Sequence, residues 1–82
     1  MRTQFSGREV ATVLVNAWNF EPVSRSGDHL TLRYEHPETG EVRRTTVPLA
    51  HDPVREGTLR SIAEDCGANN FREFCRELDR RL

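Results

Sequence analysis

A chain of 82 residues with 35% hydrophobic and 30% charged side chains buries only about 60–65% of the surface its unfolded form exposes, which leaves room for one core and excludes a large enclosed active-site cavity. Its twelve cations are all arginines, set against thirteen carboxylates for a net charge of −1, so bulk charge does not nominate a nucleic-acid partner, although the planar arginine fork suits phosphate where contacts are few. No apolar run approaches the ~18 residues of a membrane span and no export pattern opens the chain, so a folded cytoplasmic domain over residues 1–82 is expected.

The first element announces itself in "FSGREVATVLVNAWNF". Ser6 and Glu9 have capping-box spacing, Phe5 and Val10 can form the accompanying hydrophobic staple, and Val10, Val13, Leu14, Ala17 and Trp18 repeat at the spacing of one buried helical face. A helix over 7–17 follows. "NFEPVSRSG" is β-branched and aromatic, but Pro22 cannot donate to a ladder, which makes this a short strand or an edge strand. "DHLTLRYEH" alternates: Leu30, Leu32 and Tyr34 share one face, and His29, Thr31, Arg33 and Glu35 share the other. "HPETGE" is a turn through Pro37 and Gly40, and it leads into "EVRRTTVPL" as the second half of a hairpin that Pro48 closes.

After the loop "AHDPVREG", Leu59, Ile62, Ala63 and Cys66 form a second helical stripe ending at Gly67, a residue suited to the left-handed position past a helix. Asn70 and Glu73 repeat the capping pattern, and Phe71, Phe74, Cys75, Leu78 and Leu82 carry a third helix to the terminus. The expected fold is α+β: one helix, three antiparallel strands and two helices. So small a sheet has its helices on one face, which leaves the other face open.

The open face decides the candidate chemistry. If Leu30, Leu32 and Tyr34 point at the helices, the pleat exposes His29, and a slip of one residue would bury the polar set instead. An imidazole with an ordinary pKa near 6.5 can both take and give a proton near neutrality; an exposed histidine without function fits the same position. Asp28 can orient that ring only if the chain is still in its turn there, because neighbouring strand residues face opposite ways. Arg25, Arg33, Arg43 and Arg44 lie on or beside the strands, where cross-strand neighbours can collect positive charge around His29 or pair with Glu35, Glu38 and Glu41 as a solvated surface. His36 and His51 have no ligand spacing with each other or with Cys66 and Cys75, so no metal is expected, and the two cysteines read as reduced core thiols.

Taken together, "SGREV", "NFEPV", "GDH" leading a strand, "TTVPL" closing the next and "GTLRSIAEDCG" in this order resemble the HicA toxins of HicAB toxin–antitoxin modules over nearly the whole chain. The resemblance implies an α-β-β-β-α arrangement similar to double-stranded-RNA-binding domains, here with an extra C-terminal helix. It implies a type II toxin that cleaves mRNA independently of the ribosome, needs no metal or cofactor, and is silenced by a HicB antitoxin. The family carries Gly-Ser-His at the strand start, with the histidine catalytic. This sequence has Gly27, Asp28 and His29, so the histidine carries over and the serine does not. His29 would then act as general base or acid, with Arg33 and Arg44 offsetting charge on the phosphorane. Two other readings keep the fold without catalysis: an RNA-binding module, or a protein-interaction domain using the open sheet face.

Overall fold

The computed structural model describes residues 2–82. Its elements run α1 (Gly7–Asn16), β1 (Glu21–Ser26), β2 (His29–Glu35), β3 (Val42–Pro48), α2 (Glu56–Asp65) and α3 (Phe71–Arg80). This is the expected α+β order, with the three strands antiparallel in the order β1-β2-β3. The third helix stops short of its expected end: Leu82 lies beyond α3 and is exposed.

Both caps form where the spacing placed them. At α1, Ser6 Oγ accepts from the Glu9 amide at 3.1 Å and Glu9 accepts from the Ser6 amide at 2.9 Å, with Phe5 and Val10 both buried behind them. Arg2 donates to the same carboxylate, and with the Ser6 amide it holds the Glu9 carboxyl below its ordinary range. At α3 only half the motif is present, Asn70 Oδ1 accepting from the Glu73 amide. Helix α2 ends as expected, with Gly67 at φ +82°.

The core collects Val10, Val13 and Leu14 of α1, Leu32 of β2, Val47 of β3, Leu59 and Ile62 of α2, and Phe74 and Leu78 of α3. Leu32 sits at its centre with no exposed surface. Its partner Thr45 is a buried polar residue, satisfied by donating to Asp65 Oδ2 at 2.9 Å, which ties β3 to the last turn of α2.

Strand β1 is exposed along its whole length and pairs on one side only. The edge position anticipated from Pro22 is where it lies, and a register shift between Pro22 and Ser24 makes Val23 the extra residue of a bulge. Ser26 pairs with His29, so Gly27 and Asp28 form a two-residue hairpin turn. Gly27 has φ +61° and Asp28 does not share the positive sign, the pattern of a type II′ turn with glycine in its first central position. Arg25 Nε braces this turn by donating to the Gly27 carbonyl at 2.8 Å, and the Asp28 carbonyl accepts from the Leu49 amide at 2.7 Å.

The amino-terminal end of α1 is clamped to the loop after β3. Gly7 N–H donates to the His51 carbonyl and Val54 N–H to the Phe5 carbonyl, both at 2.8 Å. A β-carbon at Gly7 would lie 2.0 Å from the Pro48 carbonyl oxygen. Substituting Gly7→Ala therefore forces α1 off the strand end; a loss of about 2–3 kcal/mol or more is expected in a urea titration. For Gly27→Ala the side chain meets open space, so only backbone strain of about 1–2 kcal/mol is expected by the same measurement.

Candidate active site

His29 is the first residue of the central strand, and its side chain is 58% exposed. Register assigns its surroundings, because paired residues share a face. Leu30/Val47, Leu32/Thr45 and Tyr34/Arg43 form the rows on the helix side. His29/Pro48, Thr31/Thr46, Arg33/Arg44 and Glu35/Val42 form the rows on the open side, joined by Ser26, Ser24 and Glu21 of β1. Burial of Leu32 thus turns His29 outward, as the alternation in "HLTLRYE" required.

Asp28 satisfies the condition set for it. It lies in the turn rather than the strand, and its Oδ1 stands 3.4 Å from His29 Nδ1. At that distance the carboxylate is close enough to bias the ring's orientation. Gly27 contributes by conformation alone: its positive φ lets the turn close in two residues, so that the histidine begins the strand directly.

The four arginines do not gather. Arg25 pairs with Leu30 and Arg43 with Tyr34, which places both on the helix side of the sheet. Arg25 is engaged with its own turn, and Arg43 holds Glu41 at 2.9 Å with its guanidinium against Gly67. Period two explains the separation: Arg43 and Arg44 are neighbours in sequence and therefore face opposite ways. Only Arg33 and Arg44 share the face of His29. They stand directly opposite each other, an arrangement of like charges that destabilises a sheet unless an anion is supplied. Arg33 leans on Glu35 at 3.0 Å, whereas Arg44 has no carboxylate partner among the described residues. Glu35 offsets Arg33, so the expected positive patch reduces to the guanidinium of Arg44. Between it and His29 lies Thr31, bonded to Thr46 across the strands at 3.2 Å.

The other histidines separate into two roles. His36 Nδ1 accepts from the Glu38 and Thr39 amides at 3.2 Å each, so that ring organises the β2–β3 turn. His51 ends a tight turn in which its amide donates to the Pro48 carbonyl, and its side chain is exposed. Among the described residues no group of three His, Cys, Asp or Glu is placed to hold a metal ion. Both cysteines are free thiols; burial pushes Cys66 up to about 12 and raises Cys75 as well. Neither is a nucleophile at neutral pH.

An apolar concavity lies elsewhere. A groove of about 590 Å³ runs between Trp18, Phe20, Tyr34, Cys66 and Phe74, with Arg43 and Glu77 among its polar lining. Tyr34 is five residues along β2 from His29 and on the opposite face, so the groove and the histidine do not meet. What sequence reasoning overlooked is Gly7: glycine is the residue that lets another backbone approach closely, and here the end of β3 does.

The family model described as "HicA toxin of bacterial toxin-antitoxin" matches residues 7–68, from the first residue of α1 to just past α2. No curated protein and no solved structure matches the chain. Helix α3 lies outside the matched span. With more than half of its length in that match and the α-β-β-β-α order in place, the chain belongs to the HicA family, the toxins of bacterial toxin–antitoxin systems, and its partner is accordingly an antitoxin.

Proposed function

We propose that the protein is an mRNA endoribonuclease that uses His29 for proton transfer and works in the cytoplasm without metal or cofactor. The observation that carries this reading is an exposed imidazole heading the central strand, on the face free of helices, with Asp28 at 3.4 Å. His29 takes the proton of a 2′-hydroxyl as its oxygen attacks the adjacent phosphorus, and Asp28 stabilises the imidazolium that forms. The P–O5′ bond then breaks, leaving a cyclic phosphate and a 5′-hydroxyl. Four residues of strand separate His29 from Arg33, about 13 Å. The guanidinium pair therefore holds a neighbouring phosphate, positioning the strand, rather than the phosphorane itself. Residues 1–82 act as one unit in this reading, because α3 contributes Phe74 and Leu78 to the same core as the family-matched segment.

The antitoxin, of the HicB type, silences the enzyme by covering the open sheet face, with acidic groups opposite Arg44 standing in for RNA phosphate.

Cleavage of RNA in the presence of a chelator tests the reading. His29→Ala should lose at least 10²-fold in rate and relieve growth arrest while RNA binding persists. Unchanged cleavage would sink the assignment, and a wild type that binds without cutting would favour an RNA-binding module. For the antitoxin, charge reversal at Arg44 (Arg44→Glu) should weaken the complex at least tenfold by calorimetry, with the loss shrinking at high salt.

A further inference from the structure

The cleavage proposed above moves two protons, one off the 2′-oxygen and one onto the departing 5′-oxygen, and His29 can fill one of these roles at a time. We propose that His51 is the second proton-transfer group, donating to the 5′-oxygen as the P–O5′ bond breaks. The inference rests on the nuclease reading and deepens it.

Strand pairing brings the two histidines to one corner of the sheet. The Leu49 amide donates to the Asp28 carbonyl, so the next pair, His29/Pro48, is of the non-hydrogen-bonded kind, with Cα atoms about 4.5 Å apart. Pro48 then opens the turn whose fourth residue is His51, closed by the His51 amide on the Pro48 carbonyl, and such a turn spans less than about 7 Å. The two Cα atoms therefore lie within about 12 Å, near enough for the imidazoles to flank one phosphodiester. Tyr34 and His36 are excluded from this role, Tyr34 by facing the helices and His36 by lying past the far end of β2, about 23 Å of strand from His29.

His51 is also held in place in a way that leaves its ring free. Its amide is bonded to Pro48 and its carbonyl to the Gly7 amide, so the backbone is fixed at both ends of the peptide while the side chain is exposed. The close approach of Gly7 to Pro48 fixes the same corner from the α1 side. Charged groups on the elements meeting there are Asp28 of the hairpin turn, Asp52 beside His51, Arg2, Arg8 and Glu9 around the start of α1, and Arg55 and Glu56 at the start of α2. The carboxylate within reach of His29 suits a group that becomes positively charged as it takes up a proton; the donor role falls to the other ring.

A substrate whose leaving group needs no proton separates the roles. The experiment compares single-turnover cleavage of an ordinary oligoribonucleotide with one carrying sulfur in place of the bridging 5′-oxygen at a cleaved bond. It uses the full chain and its His29→Ala, His51→Ala and His51→Gln variants across pH. On ordinary RNA both His51 variants should fall at least 10²-fold and lose one limb of the pH–rate profile. On the sulfur substrate they should return to within about tenfold of wild type, since a thiolate departs unprotonated, while His29→Ala stays inactive on both. Wild-type cleavage of ordinary RNA by the His51 variants, absence of sulfur rescue, or failure of both variants to fold would overturn the assignment. Full activity of His29→Ala would instead overturn the nuclease reading itself.

Discussion

Leu32 has no solvent-exposed surface, and the placement of every polar group on the open face follows from that burial. Strand side chains alternate, so seating Leu32 against the helices sends Thr31 and Arg33 outward with His29 two residues further back. A slip of one residue would put Thr31 or Arg33 at the centre of the core instead. The same condition splits Arg43 from Arg44, sending one guanidinium toward α2 and the other into solvent. The geometry of the candidate site is thus inherited from packing: Leu32, which sets it, never approaches it.

Much of this was legible in the sequence because it depends on period and on local capping. The helix stripes, the edge character that Pro22 imposes on β1 and the outward direction of His29 each follow from spacing alone. What spacing does not carry is pairing between strands. Whether Arg25 shares a face with His29 depends on the bulge at Val23 and on the two-residue turn at Gly27 and Asp28, and both are set jointly by β1 and β2. The contact of Gly7 with Pro48 was equally hidden, since residues far apart in sequence meet there only after the sheet and α1 have packed. Asp28 illustrates the boundary well: its relevance hinged on being in the turn, a condition that could be stated from sequence and met only in three dimensions.

The electrostatics are sparing. A chain with no lysine places Arg33 and Arg44 on its open face, pairs Arg33 with Glu35, and leaves Arg44 without a carboxylate among the described residues. Phosphate contacts normally supply much of the affinity for nucleic acid and make it salt-dependent. With one guanidinium on that face free of a carboxylate among the described residues, the sheet offers little fixed positive charge of this kind.

Proline stands on both outer strands. Pro22 and the Val23 bulge interrupt β1, and Pro48 ends β3 where α1 presses against its last carbonyl. Edge strands with continuous free amides recruit further strands, and prolines and bulges discourage this. A toxin produced even briefly without its partner therefore carries on both outer strands features that discourage edge-to-edge association with copies of itself.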